Sequence, residues 1–266
     1  MHDLLSAAWQ PLLTTRAVGR GDNCVEHTLT STNTVLKELA RNGARHGSVC
    51  LCECQTGGRG RLGRAWSSPE GRGIWCSVLL RPEMPAERAP LITFCAALAV
   101  TRAVRRLCGL EVRIKWPNDV VLDGRKLCGV LLEMGFDVHG GMFVIVGTGL
   151  NVRRGAYPPE LSDRAIALEE VCAPPERGEL IAAYLSELEL ALTEVEKSGL
   201  PGIAEAYREL SCTLGSEVQV IGTEERFTGV AEEIDQSGAL LVRDADGELR
   251  RVLAGDVSVR GMMGYV

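Results

Sequence analysis

Three arginines, Arg59, Arg61 and Arg64, fall inside the run Gly57-Gly58-Arg59-Gly60-Arg61-Leu62-Gly63-Arg64-Ala65-Trp66, and no acid occurs between Gln55 and Pro69. Arginine brings a permanent charge and a planar fork of donors that suits phosphate or carboxylate. Glycine lets backbone N–H groups approach a ligand and point at it. Trp66 offers a flat face to a base or another ring. Together these residues describe a loop that closes over a small anion, one that carries phosphate. Two plainer readings stand beside it: a surface loop with solvated charges, and an Arg–Gly segment that binds RNA. Segments of the second kind usually come as long repeated tracts, whereas this run is a single copy between two strand-like stretches.

A second cluster is Lys115-Trp116-Pro117-Asn118-Asp119. A lysine that ends a strand beside a rigid Pro-Asn-Asp turn is held at a fixed place. There it can bridge two anions as they approach, although a snorkelling surface lysine would have the same local sequence. A third cluster runs from Lys126-Leu127-Cys128-Gly129-Val130 to Glu133, and a glycine inside a strand marks close approach by backbone or ligand. The fourth is Gly147-Thr148-Gly149-Leu150-Asn151. It lacks the third glycine of a dinucleotide loop, because Val152 holds that position, and no helix follows. The chain has no G-x-x-x-x-G-K-[ST] phosphate loop.

The elements that must carry these clusters follow from periodicity. Leu4, Leu5, Ala8, Trp9 and Leu12 recur near helical spacing, and Pro11 limits that helix. Ser31-Thr32-Asn33 precedes the apolar stripe Val35, Leu36, Leu39 and Ala40, which is a helix start, with Gly43 as its stop. Strand texture covers residues 48–54, 74–80, 112–115, 120–122, 127–136 and 143–152. Asp123-Gly124 and Gly140-Gly141 punctuate hairpins between them. Residues 91–107 make a long, largely buried helix. Residues 165–171, 180–196 and 203–210 read as helices, the second with Tyr184, Leu185, Leu188, Leu192 and Val195 facing inward. After about Cys212 the texture changes to short strands at 217–221, 227–234, 239–243, 249–253 and 257–260, as in a small β-barrel. The fold class expected is therefore α+β, with a mixed, mostly antiparallel sheet, flanking helices and a small C-terminal β-barrel. The domains expected are 1–212, with 1–25 as an N-terminal extension, and 213–266.

Composition sets the outer limits. The 266 residues carry a formal net charge of −6, which argues against a protein that coats nucleic acid. Ten cysteines include no C-x-x-C pair, so the usual zinc spacing is missing. Cys50, Cys52 and Cys54 alternate at strand period and read as buried free thiols. With no secretory leader and no apolar run long enough to span a bilayer, a cytoplasmic, non-membrane protein with reduced thiols is expected.

Taken in order, Ser31-Thr32-Asn33, Gln55-Thr56, the loop from Gly58 to Trp66, Lys115 to Asp119, Lys126 to Glu133 and Gly147 to Asn151 resemble the pattern of biotin–protein ligases. The resemblance is specific from about Thr30 to Val152 and extends more weakly to the end. It implies a catalytic domain related to class II aminoacyl-tRNA synthetases, followed by the small barrel. It implies that Ser31, Thr32, Asn33 and Gln55 line a biotin pocket, and that Arg59, Gly60 and Arg61 grip the carboxylate and phosphate. Trp66 would lie near the adenine, Lys115 would contact both reacting groups, and Lys126 would assist adenylation. Asn118, Asp119 and Asn151 would shape the nucleotide side. The cofactors implied are ATP and Mg2+, and the partner is a biotin carboxyl carrier domain. The resemblance leaves room for a homodimer through the edge of the central sheet. The residues ahead of Ser31 are too few for the three-helix DNA-binding unit of repressor forms, so no DNA binding is expected. Gly57, an extra glycine ahead of the matching loop, is expected to add flexibility. The nearest alternative is a lipoate ligase or octanoyl transferase, which shares the fold and the acyl chemistry.

Overall fold

The computed structural model describes residues 2–222, 226–254 and 258–261. The chain opens with 3-10 turns at His2–Leu4 and Gln10–Leu12 on either side of a single helical turn, α1 (Ser6–Trp9). Leu4, Trp9, Leu13 and Val18 are all buried in the main core, so this segment is part of the packing. Glu189 fastens its end by accepting the backbone N–H groups of Arg16, Ala17 and Val18 at 2.7–2.9 Å.

β1 (Cys24–Leu29) pairs in parallel with β2 (Val49–Gln55), and the helix between them is α2 (Thr32–Arg41). Parallel neighbours need such a crossover. Sequence reading gave no strand at β1, whose central Glu26, His27 and Thr28 are exposed. β3 (Gly73–Leu80) is buried along its whole length. Then come α3 (Leu91–Cys108), the short β4 (Arg113–Lys115) and β5 (Asp119–Leu122), and the long hairpin β6 (Arg125–Phe136) and β7 (Met142–Asn151). The seven strands lie in the order β1-β2-β3-β7-β6-β5-β4, antiparallel except at β1–β2. The mixed, mostly antiparallel sheet is therefore as expected.

The pleat divides the burial. Ile74, Cys76, Val78 and Leu80 of β3 join the larger core with α3 and α4 (Arg177–Ser198). On the other face Cys50, Leu79, Phe143 and Ile145 pack against Leu36 and Ala40 of α2. Burial pushes the Cys52 thiol up to about 12 and that of Cys50 higher still, so neither offers a thiolate near neutral pH.

Residues 165–171 are not the helix expected. Ala165 bridges Lys126, the Lys126 N–H donates to Arg164 O at 2.7 Å, and the Ile166 N–H donates to Lys126 O at 3.0 Å. Only Leu168–Glu170 makes a 3-10 turn. The apolar spacing there reflects an extended segment buried beside β6. After α4 and α5 (Pro201–Leu210), a second antiparallel sheet forms from β8 (Glu217–Ile221), β9 (Arg226–Ile234), β10 (Leu240–Asp244), β11 (Leu249–Val252) and β12 (Ser258–Gly261), in the order β11-β10-β9-β8-β12. Of the last expected strand, Val257 lies outside the described residues.

Candidate active site

The loop with three arginines is folded. Arg59 and Ala65 form an antiparallel bridge, the Gly60 N–H donates to Arg64 O at 2.7 Å, and the Trp66 N–H donates to Gly58 O at 2.9 Å. A 3-10 turn at Arg61–Gly63 makes the tip, where Leu62 (φ 56°) is exposed. Gly57 adds no slack here, because its N–H is tied to Thr30 O at 2.8 Å. The hairpin leans over the sheet by seating the Trp66 indole on two glycines. Gly129 and Gly149 face each other in register across β6 and β7. A Cβ at Gly149 would lie 2.5 Å from Trp66 Nε1, and one at Gly129 2.9 Å from Trp66 Cζ3. The glycine inside the strand thus admits a ring from the chain itself. Lys126 Nζ lies 5.1 Å from the centroid of the same indole, within cation–π range.

Beneath the hairpin lies a cleft of about 440 Å³, a normal size for a small-molecule site. Ser31, Thr32, Asn33, Gln55, Arg59, Gly60, Arg61, Trp66, Lys115, Asn118, Asp119, Lys126 and Asn151 all line it. Every candidate residue from the sequence is therefore gathered around one cavity. Among the described lining residues there are six basic side chains (Arg59, Arg61, Arg64, Lys115, Lys126 and Arg164) and one carboxylate, Asp119. A cavity so lined favours an anionic ligand.

One end of the cleft is an ordered polar network. The Thr32 N–H and hydroxyl both donate to Gln55 Oε1, at 2.8 and 3.1 Å, and Gln55 Nε2 donates to Ser68 Oγ at 2.7 Å. The Ser77 hydroxyl sits 2.7 Å from Thr32 Oγ1 and 2.6 Å from Asn33 Oδ1. Gly147 leaves the room that the Asn33 amide occupies. Asn33 Nδ2 then donates to Glu133 Oε2 at 2.8 Å. Sequence reading assigned no role to Ser77 or Glu133. The alternation of β3 puts Ser77 on the α2 face, but its partners lie too far away in sequence for periodicity to find them.

Arg59 is turned toward Glu133, with Nη2 at 3.2 Å from Oε2, and Lys37 approaches the same carboxylate at 3.6 Å. Burial pushes the Glu133 carboxyl up, but the Asn33 amide and these two cations outweigh it and hold the pKa below the usual range.

At the other end Arg61 Nη1 donates to Asn118 Oδ1 at 2.9 Å. Its buried Nη2 has no hydrogen-bond partner. Burial lowers the Arg61 pKa, opposed by the charge of Asp119. An arginine still keeps its proton under those conditions, so a buried, charged donor faces the cleft. The Trp66 indole N–H is likewise buried and unpartnered. Asn118 is fixed by donating Nδ2 to Val130 O at 2.7 Å, and Lys126 Nζ pairs with Asp119 at 2.6 Å. Lys115, at the end of β4, is 5% exposed and stands opposite Asp119 in the ladder. The Asn151 amide faces the backbone, donating to Ile166 O at 3.1 Å. It holds the wall of the cleft in place.

Comparison with known proteins bears on this arrangement. Residues 25–151 match the Biotin/lipoate A/B protein ligase family, and residues 213–260 match the Biotin protein ligase C terminal domain. The chain is 36% identical to a biotin–[acetyl-CoA-carboxylase] ligase of Mycobacterium tuberculosis, over 85% of each protein. It is 32% identical to the bifunctional ligase/repressor BirA of Bacillus subtilis, over 90% of this chain and 74% of that protein. Among solved structures it is similar to the biotin protein ligase of Aquifex aeolicus in complex with biotin and ATP, with a TM-score of 0.77 and 30% identity over 90% of this chain and 99% of the other.

Proposed function

This chain belongs to the biotin–protein ligases, and from that premise we propose how its residues carry out the reaction. It is an ATP-dependent ligase that activates biotin as biotinyl-adenylate and transfers the biotinyl group to a lysine of a biotin carboxyl carrier domain. The observation that carries the residue-level reading is the convergence of the arginine hairpin and the strand-end lysine on one cleft with six basic side chains and one acid.

A carboxylate is a poor acyl donor. In the first step a biotin carboxylate oxygen attacks the α-phosphorus of ATP, the bond from that phosphorus to the bridging oxygen breaks, and pyrophosphate leaves. Attacker and target are both anionic, so fixed cations must screen them. Lys115 bridges the carboxylate and the α-phosphate. Arg61 directs its unpartnered Nη2 at the same phosphate, and Lys126 supports adenylation from beside Asp119. The Ser31, Thr32, Asn33 and Gln55 network binds the biotin head. Arg59 leaves Glu133 for the ligand carboxylate, with Gly60 giving the hairpin its close approach. Trp66 covers the adenine, with Asn118, Asp119 and Asn151 shaping that side. In the second step the acceptor amine attacks the acyl carbon, the carbon–oxygen bond to AMP breaks, AMP leaves and the amine loses a proton. Between the two steps the hairpin keeps water from the mixed anhydride.

The residues present fit Mg2+ as a companion of the nucleotide. Among the described residues no three His, Cys, Asp or Glu side chains gather as a metal cage, and Mg2+ commonly uses one or two carboxylates together with substrate phosphates. Asp119, the one carboxylate among the described lining residues, would hold the ion alongside its pairing with Lys126, and the ion would neutralise phosphate charge.

The unit 1–212 is read as catalytic and 213–266 as a small accessory domain. A homodimer through an edge of the large sheet is part of the same proposal. So is a cytoplasmic setting, supported by ten free cysteines and by the lack, among the described residues, of a helix long and apolar enough to cross a membrane. The test is incubation with biotin, MgATP and a carrier domain, read by the mass of the carrier. One added biotinyl group that requires ATP supports the reading. Acyl exchange without ATP, or modification with lipoate or octanoate in preference to biotin, would overturn it.

A further inference from the structure

The turn that presents Lys115 is not held by its own sheet alone. β4 is the last strand of the seven-stranded sheet, three residues long, and within that sheet it pairs on one side alone, with β5. Its outer side is occupied instead by the segment that enters the C-terminal sheet. Ile114 forms a parallel bridge with Ser211, and the Cys212 N–H donates to Ile114 O at 2.9 Å. The next residue past Lys115 is tied more firmly. The Trp116 backbone N–H donates to Thr213 Oγ1 at 3.0 Å, and its indole N–H donates to Gly238 O at 3.1 Å. Trp116 is 2% exposed and Thr213 4%, so both bonds are shielded from water, where an unmet donor is costly.

Gly238 is itself fixed. It sits in the β9–β10 turn at φ +90°, and a Cβ there would lie 2.7 Å from Phe94 Cε2, so α3 sets where its carbonyl points. Ser211 steadies Thr213 by accepting the Thr213 and Leu214 N–H groups at 3.1 Å each.

We infer that Thr213 and Gly238 are positioning residues for Lys115: through the two donors of Trp116, the C-terminal unit sets the place of the ammonium at the reacting centre. The inference rests on the role given to Lys115 above. Positioning acts on the chemical step more than on ground-state binding, so it changes kcat more than KM.

The experiment measures biotin-dependent pyrophosphate release by the full chain. Thr213→Val removes the acceptor, Thr213→Ser keeps it, and Trp116→Phe keeps an aromatic ring but deletes the indole donor. Arg243→Gln is the control; it breaks an exposed ion pair with Glu232 at 2.6 Å in the same unit, away from residues 211–213 and 238. Thr213→Val and Trp116→Phe should each lower kcat by about tenfold or more, with KM for biotin within about twofold of the parent. Thr213→Ser should restore most of the loss, and Arg243→Gln should keep the parental kcat. Parental kcat in both Thr213→Val and Trp116→Phe, or an equal fall in Arg243→Gln, overturns the inference. If Thr213→Val does not fold, Trp116→Phe decides it by the same readout. A parent chain without biotin-dependent pyrophosphate release would overturn the ligase reading itself, whereas an active parent with unaffected variants overturns only this inference.

Discussion

Gly149→Ala should shorten the lifetime of the bound biotinyl-adenylate while leaving the fold intact. The new methyl would stand 2.5 Å from Trp66 Nε1 and 2.6 Å from Cε2. Non-bonded carbon contacts settle near 3.5–4.0 Å, so the indole must lift by about 1 Å or more. Trp66 is the last residue of the arginine run, and its backbone hydrogen bond to Gly58 O carries the shift into the hairpin. If the displacement uncovers half of the roughly 200 Å² that an indole can bury, at about 25 cal/mol per Å², the closed hairpin loses about 2.5 kcal/mol. At about 1.4 kcal/mol per tenfold, that is a loss of roughly 50- to 100-fold in the closed state and in retention of the intermediate. Alanine costs a strand less than glycine does, so global stability should change little. The assay loads the enzyme with biotin and MgATP, removes free ligand and follows release of the adenylate, with Trp66→Ala as the reference for an absent ring. If Gly149→Ala held the adenylate as long as the parent while Trp66→Ala did not, the glycine seat would not be what keeps the hairpin closed.

Lys115→Ala should remove adenylate formation; pyrophosphate release at a near-normal rate with biotin present would rule out its bridging role. Arg61→Gly should weaken retention of the intermediate more than biotin entry, with a loss of about 2–4 kcal/mol of transition-state stabilisation, seen as faster adenylate escape at an almost unchanged Kd for biotin. Arg177→Met should destabilise the fold by about 3–5 kcal/mol. Arg177 pairs with Asp3 and, at 2.8 Å, with Glu53, which is 2% exposed, and the variant would take the guanidinium away from both carboxylates; chemical denaturation measures the change. The same triad sets an acid limb. The hydrogen bond from Arg177 is the main reason the Asp3 carboxyl lies below its usual value. For Glu53, burial pushes upward, and Arg177 is the first among the groups that together outweigh it. Folded pKa values below the unfolded ones mean that this stabilisation is complete near neutrality and is lost as pH falls through the folded values. The acid limb of stability should therefore be steeper in the parent than in Arg177→Met.

How much of this was legible in the sequence depended on how local each signal was. The Ser31 start of α2, the length of α3 and the strands on either side of the arginine run depend on near neighbours, and they formed within a residue or two of where periodicity put them. β1 was missed because its exposed Glu26, His27 and Thr28 show no alternation. Residues 165–171 were misread because an apolar segment buried by pairing with Lys126 has the composition of a helix face. The types of the site residues were legible, since charge, donor geometry and glycine content are properties of the residues themselves. Their partners were not. That Glu133 gathers Asn33, Lys37 and Arg59, or that Trp66 rests on Gly129 and Gly149, follows from strand register, which no local window contains.

The capping of β4 by residues 211–213 has a consequence for self-association. An open sheet has two margins at which a foreign strand can dock, and here the chain has already filled one with its own backbone. Any union that extends this seven-stranded sheet, whether an ordered pair of copies or an unwanted aggregate, is left with β1. That margin is guarded by exposed acidic and polar groups, with Glu26 on the strand and Glu70 3.0 Å from His27. Such groups resist casual strand addition, so recruitment along β1 requires a partner with a complementary charge pattern.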